Sequence, residues 1–254
     1  MAGTGNQIAQ HPPLYYRLMS LVVRAERAFP GERSLDQEVH LLGLANVALV
    51  SPLPLLAWAA ARRLGAARNA AVTAAAVPLA LPQLIHIGSV VNNDNLLILL
   101  AGVLAVLVAG VLRGDTRTVT AVAIGLLGGL ALLTKGFAVA LMPWIALGYL
   151  VQARRSPRPR RSLARLALAG AIVAVTGGWW VSRNLLRYGT PMPSILDEPL
   201  SRHPAGFEAR PLWYARHFAS TITQRFWGNF GSYEAPLGQV VVVHPGEVPH
   251  EPGD

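Results

Sequence analysis

His86-Ile-Gly-Ser-Val-Val-Asn-Asn-Asp-Asn-Leu96 is a short polar turn between two long apolar segments, Ala70–Gly88 and Leu96–Leu112. It places a histidine, asparagines and a carboxylate at the mouth of what would be two membrane spans. Polar and ionisable groups cost free energy there, so their presence indicates a function. We therefore expect the functional face of the molecule to lie at this turn.

The composition is that of a polytopic membrane protein. The chain is 52% hydrophobic and only 14% charged, and its mean hydropathy is +0.39, values that disfavour a soluble domain. The net charge of +9 comes mostly from arginines at the ends of apolar segments, so we do not expect nucleic-acid binding. The absence of cysteine excludes disulfides and thiolate metal sites.

The fold class that follows is an all-α bundle of about six membrane spans, because each apolar segment approaches the roughly 20 residues that a bilayer requires. The predicted spans are Leu41–Ala61, Ala70–Gly88, Asp94–Leu112, Thr118–Thr134, Gly136–Gln152 and Arg165–Ser182. Residues 1–182 thus form a transmembrane domain, and residues 183–254 form a second segment without a further span. Within that segment, Leu212–Phe230 is predicted to be a surface helix.

Prolines and glycines inside these spans predict local geometry. Two prolines in each of the first two spans, Pro52, Pro54, Pro78 and Pro82, predict kinks rather than breaks, since neighbouring helices can satisfy the freed carbonyls. Gly125, Gly128 and Gly129 in the fourth span would allow another helix to approach closely.

A shorter amphipathic segment, Leu14–Phe29, precedes the spans. Its apolar residues are spaced by three and four, and its arginines lie on other faces. This pattern predicts either a helix that lies in the membrane interface or an ordinary amphipathic connector, and the sequence favours neither.

Charge in the connecting loops predicts the orientation. One set of loops carries Arg62, Arg63, Arg68, Arg113, Arg117 and the run Arg154–Arg165, while the opposite set carries only Lys135. The positive-inside rule puts the arginines in the cytoplasm and Asp94, Lys135 and everything after Ser182 outside. The run Arg154–Arg165, with its two prolines, is expected to be a solvated loop facing lipid headgroups.

Five motifs, in this order along the chain, resemble those of bacterial membrane glycosyltransferases of the GT-C superfamily, related to the protein mannosyltransferase and aminoarabinose transferase group (family 39-like). They are His11-Pro-Pro-Leu-Tyr-Tyr16, Asn92-Asn-Asp-Asn-Leu96, Thr134-Lys-Gly136, Trp180-Val-Ser-Arg-Asn184 with Tyr188-Gly189, and Phe226-Trp-Gly-Asn-Phe-Gly231.

The resemblance implies an enzyme of the bacterial plasma membrane that transfers a sugar from a polyprenyl-phosphate carrier to an acceptor on the extracytoplasmic face. In such enzymes an acidic residue, commonly in an Asp-Glu pair, precedes the His-Pro-Pro-Leu-like motif as the general base. The ten residues before His11 contain no acid. With six spans and an outer C-terminal segment, the N-terminus would also lie outside, so we expect the chain to be a piece of a larger GT-C fold that lacks the first helix.

Glycosyl transfer requires a carboxylate to accept a proton and a cation or a metal to stabilise the departing phosphate. Asp94 is our candidate base, positioning residue or metal ligand; alternatively it caps a helix, a role that also suits Asn92 and Asn93. The candidates for binding substrate or the lipid phosphate are Lys135, His11, Asn93, Arg183, Tyr15 and Tyr16.

Each of these candidates has a plainer alternative. Lys135, the only lysine in the chain, would pair with a lipid phosphate or simply snorkel to the interface. Arg183 and Arg187 would hold phosphate or anchor the interface. The aromatic side chains, Tyr15, Tyr16, Trp227 and Phe230, would stack on sugar, line a lipid groove or pack at the interface. A divalent metal on His86 and His11 with Asp94 is a weaker possibility, because no ligand spacing supports it.

Three classes of function remain open from the sequence. The first is the lipid-linked glycosyltransferase or a fragment of one. The second is a transporter or flippase of lipid-linked sugars, which should show internal repeats that we do not find. The third is a catalytically inert membrane subunit.

Overall fold

The computed structural model describes residues 12–28 and 34–191, together with 212, 215–216, 218–219, 229–230 and 235–236. The helices are α1 Leu14–Arg27, α2 Leu35–Val50, α3 Leu53–Arg63, α4 Arg68–Ala76, α5 Pro82–Ser89, α6 Asp94–Leu112, α7 Thr118–Thr134, α8 Leu141–Arg155, α9 Pro159–Thr176 and α10 Gly178–Tyr188. Short 3-10 helices cover Val77–Ala80 and Gly136–Ala140, and two-residue strands, Asn229–Phe230 and Ala235–Pro236, pair antiparallel. The described architecture is therefore almost entirely helical.

Between three and five of these segments are long and apolar enough to cross a membrane. Leu35–Arg63, Asp94–Leu112 and Gly136–Arg155 qualify as single helices, and two bent helix pairs raise the number to five if each pair is one span. The predicted fourth span, Thr118–Thr134, forms an apolar helix of 17 residues, at the short end of what a bilayer accepts. A bundle of membrane-spanning helices is thus supported, although the count of six is not.

The predicted kink in the second span is a sharper break. Arg68–Ala80 and Pro82–Ser89 meet at 58°, because Leu81 between them has an extended backbone with φ −98° and ψ 100°. Pro82 then starts α5, a position where proline loses no hydrogen bond. In the first predicted span, by contrast, α2 and α3 together form one candidate membrane span, Leu35–Arg63, despite the two prolines.

The predicted sixth span has different bounds. Arg165–Ser182 was expected to be one helix, but α9 begins six residues earlier at Pro159 and ends at Thr176, and α10 continues at an angle of 47°. The prediction that Arg154–Arg165 forms a loop is also wrong, since only residues 156–158 separate α8 from α9. Proline at the first helical position and arginine's good helix propensity explain the early start.

The glycines of α7 mark a close helix contact, as predicted. A Cβ atom at Gly125 would lie 2.7 Å from Cβ of Ile172, and one at Gly129 would lie 2.6 Å from Cβ of Thr176. Both distances are shorter than real Cβ contacts allow, so α7 and α9 can pack together only because these positions lack side chains.

Among the residues that the structure describes, two apolar clusters form the core. One lies around Leu104, Val108, Ile124, Ile145 and Tyr149 and joins α6, α7, α8 and α9. The other contains Tyr15, Met19, Leu96, Leu100 and Ala131, and it packs α1 onto α6 and α7. The amphipathic segment predicted as Leu14–Phe29 is therefore a helix, ending at Arg27, whose apolar face lies against the bundle.

The polar turns segregate to two ends of the bundle. The guanidinium of Arg63 donates to the carbonyl of Val106 near the end of α6, and Arg165 of α9 donates to the carbonyl of Thr116. The arginine-bearing turns thus share one end, called here the arginine-rich end. Asp94, at the start of α6, and Lys135, just after α7, lie together at the other end of the bundle.

Candidate functional site

The structure brings Asp94 and Lys135 into direct contact. Asp94 is the first residue of α6, and Lys135 directly follows α7. Lys135 Nζ donates to Asp94 Oδ1 at 2.6 Å, and the two side chains keep 23% and 29% of their exposed surface. The sequence predicted that both face the same side of the membrane, and their pairing places them in one site.

Backbone geometry explains why these two side chains meet. A carboxylate is favoured at the amino end of a helix and an ammonium at the carboxyl end, because the helix dipole stabilises both. Asn92 supports the start of α6, since its Oδ1 accepts the N–H of Asp94 at 2.9 Å. Asn93 occupies the N-cap position but makes no capping hydrogen bond through its side chain, so the expected capping role belongs to Asn92.

A buried amide network lies directly behind Asp94. Asn46 Oδ1 accepts two hydrogen bonds of 2.9 Å, one from the Tyr15 hydroxyl and one from Asn95 Nδ2. Asn95 Nδ2 also lies 3.0 Å from the carbonyls of Ile87 and Val90, so its two hydrogens are shared among three acceptors and hold the carboxyl end of α5. All three side chains are at most 2% exposed. The network therefore ties α1, α2 and α5 to the first turn of α6.

Sequence reasoning missed Asn46 and gave no separate role to Asn95, although Asn95 lies in the quoted motif Asn92–Leu96. Each lies beside or within an apolar run of a predicted span, where an amide is costly unless it is hydrogen-bonded. That position was the available signal, but it does not reveal the partner, because Asn46 and Asn95 are 49 residues apart. Asn95 Oδ1 is buried and finds no hydrogen-bond partner within the described part of the chain.

Tyr15 and Tyr16 line the same region. Their rings pack edge to face with centroids 5.5 Å apart. The Tyr15 ring is buried and its hydroxyl serves the amide network, which gives this residue a structural role whether or not it also meets a substrate. The binding role of both tyrosines stays a prediction.

Arg183 lies elsewhere, on α10. Its guanidinium sits 4.9 Å from the centroid of the Trp180 ring, and Nη1 donates to Asn184 Oδ1 at 3.3 Å. These contacts fit an interfacial aromatic belt, and the described hydrogen bonds and ion pairs do not join Arg183 to Asp94 or Lys135. Arg187 has a similar contact, 5.6 Å from the ring of Tyr188.

The remaining candidates concern metal and sugar binding. His11 and Trp227, and the side chain of Phe230, fall outside the described residues, as does most of the predicted helix Leu212–Phe230. His86 lies on the exposed side of α5. Within the described ranges no group of three or more His, Asp or Glu side chains is arranged to hold a metal ion. A metal on His11, His86 and Asp94 stays a prediction.

The geometry of the pair defines what chemistry it can support. A carboxylate can accept a proton from a hydroxyl, and an ammonium can hold an anionic oxygen. An anion that approaches Lys135 would replace the carboxylate as its partner and leave Asp94 free to act as a base.

Comparison with known proteins identifies the family. A family model, DUF2142, described as a predicted membrane protein, matches residues 2–248. The chain belongs to this family. Membership in DUF2142 agrees with the apolar helices of the structure and establishes a membrane protein, and the description assigns no reaction. No curated protein and no solved structure matches the chain.

Proposed function

We propose that this DUF2142 protein is an integral membrane glycosyltransferase, or a part of one, that transfers a sugar from a polyprenyl-phosphate donor to an acceptor outside the bacterial plasma membrane. The contact between Asp94 and Lys135 carries this proposal, because it joins an acid and a cation at one end of the bundle. The resemblance of the motifs around both residues to GT-C enzymes supplies the reaction class.

The location of the pair supports an outward-facing site. Asp94 and Lys135 lie at the end of α6 and α7 opposite the arginine-rich end. By the positive-inside rule, that end faces the extracytoplasmic side, where an acceptor and the headgroup of a lipid donor would meet.

In the proposed reaction, the acceptor hydroxyl attacks the anomeric carbon of the sugar while the bond between that carbon and the phosphate oxygen breaks. The phosphate leaves with the electron pair, and Lys135 stabilises its additional negative charge. Asp94, released from Lys135 by the incoming phosphate, accepts the proton of the acceptor hydroxyl. The products are the glycosylated acceptor and polyprenyl phosphate.

The first test uses Lys135 as a built-in reporter, because it is the only lysine. Reductive methylation with ¹³C-formaldehyde labels no other side chain and retains the charge of this amine. We expect its NMR resonance in detergent micelles to shift when polyprenyl phosphate is added and to stay in place with uncharged polyprenol. No response to the phosphate would reduce the pair to a structural link between α6 and α7.

The second test measures transfer in the native full-length protein, with a panel of polyprenyl-phosphate hexoses and pentoses as donors. Asp94→Asn should lower the transfer rate on the order of a hundredfold or more, as expected for loss of a general base. Asp36→Asn, which changes an exposed acid in the first turn of α2, is the matched control and should leave the rate unchanged. Equal rates for Asp94→Asn and the unmodified protein, at equal membrane content, would remove Asp94 from the mechanism.

A further inference from the structure

An apolar groove of about 300 Å³ lies between α3, α6 and the broken helix that ends in α5. Its lining includes Leu56, Ala60, Leu84, Ile98, Gly102 and Ala105. These residues belong to segments that qualify as membrane spans or as a bent pair forming one span. If these segments cross the membrane as proposed, lipid hydrocarbon surrounds the groove.

The groove exists because of two local features. The 58° bend at Leu81 divides the second segment, so that α4 packs on α3 while α5 packs on α2. On α6, Gly102 lets Leu56 of α3 approach closely, since a Cβ atom at position 102 would lie 3.0 Å from Leu56 Cδ1. Along the axis of α6, the groove spans the positions from Ile98 to Ala105, a length of about 10 Å at the usual helical rise.

Three arginines lie beyond the end of this groove that Ala60 and Ala105 form, where α3 and α6 end. Arg63 lies one turn beyond Ala60, and its Nη1 donates to the carbonyl of Val106, the residue after Ala105. Arg62 Nη1 donates to the carbonyl of Ala66 in the next turn. The Arg113 guanidinium lies against Gly65, with Nη2 3.4 Å from where a Cβ would be. Within residues 12–28 and 34–191, none of the three forms a described salt bridge to a carboxylate.

We propose that this groove and the three arginines bind one anionic phospholipid. Its phosphate would meet Arg62, Arg63 and Arg113 at the arginine-rich end, and one acyl chain would run along α6 inside the groove. Charge complementarity selects this occupant, because arginine forms strong charge-assisted hydrogen bonds with phosphate oxygens. A lipid held here is separate from the proposed donor, whose headgroup would lie at the other end of α6.

The arginines and the apolar groove contribute differently to the binding of the lipid. Moving a hydrocarbon chain from the bilayer into an apolar groove gains little, since both environments are equally apolar. The phosphate therefore supplies the affinity, and the groove orients the chain.

Native mass spectrometry of the detergent-solubilised chain tests the headgroup site. With equal amounts of phosphatidylglycerol and phosphatidylcholine as probes, we expect one phosphatidylglycerol to be retained preferentially. Changing Arg62, Arg63 and Arg113 together to Gln should weaken this retention by about fivefold for each arginine. The matched control changes the exposed Arg154, Arg155 and Arg158 to Gln and should retain the lipid. Equal loss in both triple variants would mean general attraction to positive charge and would overturn the site.

Photo-crosslinking tests the position of the chain. Phosphatidylglycerol with a diazirine in its acyl chain should label the groove residues of the unmodified protein, in particular Leu84 and Ile98. Ala105→Phe, which fills the groove, should abolish that label, whereas Ala76→Phe, exposed and outside the groove, should not. Labelling spread evenly over the lipid-facing surface would refute the proposal. Preferential labelling by a diazirine polyprenyl phosphate would also refute it and assign the groove to the donor.

Discussion

The hairpin of α6 and α7 carries an ion pair at each end, and the two pairs are built differently. Asp94 and Lys135 are 41 residues apart, and both side chains are about three-quarters buried. Asp115 and Arg117 are two residues apart in the connecting turn, and the Arg117 side chain is 70% exposed. One pair joins two helices, whereas the other shapes a single turn.

The difference shows which pair is suited to function. Asp115 is fully engaged, because its carboxylate accepts from the Arg117 side chain, the Arg117 backbone N–H and the Thr120 hydroxyl. These bonds hold the pKa of Asp115 well below its usual range, at about 2. The side-chain ammonium of Lys135, by contrast, is joined by a described bond only to Asp94, and this bond can be exchanged for a bond to an incoming anion.

The largest expected effect comes from removing the support behind the Asp94 pair. Asn95→Leu would remove the donor of the Val90 carbonyl and one donor each of the Ile87 carbonyl and the buried Asn46 Oδ1, so we expect a loss of about 2 kcal/mol in stability. Thermal unfolding in detergent measures this loss. Asn69→Leu, at an exposed position of α4, is the control. If both variants melt alike, the amide network does not hold this end of the bundle.

Sequence patterns predicted α6 and α7 to the residue, because a charged or polar residue terminates each apolar run. They also placed Asp94 and Lys135 on one side of the membrane. They did not predict the bend at Leu81, since proline alone does not decide between a kink and a break. Nor did they pair Asn46 with Asn95, because side-chain partners across 49 residues depend on helix packing that periodicity does not encode.

A pair of double-mutant cycles would sharpen the contrast between the two ion pairs. For Asp94→Asn with Lys135→Met we expect a coupling of about 1 kcal/mol, since both side chains are largely shielded from water. For Asp115→Asn with Arg117→Met we expect a smaller coupling, because Arg117 is exposed. Both couplings come from unfolding free energies in detergent. Similar values would show that burial does not distinguish the pairs.

The smallest expected effect is the acid dependence of the Asp115 turn. Because folding lowers the pKa of Asp115 from 3.8 to about 2, its charged form contributes stability above pH 3.8, and this contribution disappears as the pH falls through about 2. The difference in melting temperature between the unmodified protein and Asp115→Asn should therefore be larger at pH 5 than at pH 2.5, while the difference for the exposed Asp36→Asn should change less. Exposure of Arg117 keeps the effect at about 1 kcal/mol or less. A difference that grows towards pH 2.5 would contradict the sign, and it would mean that the Asp115 carboxylate is strained rather than stabilised in the folded turn.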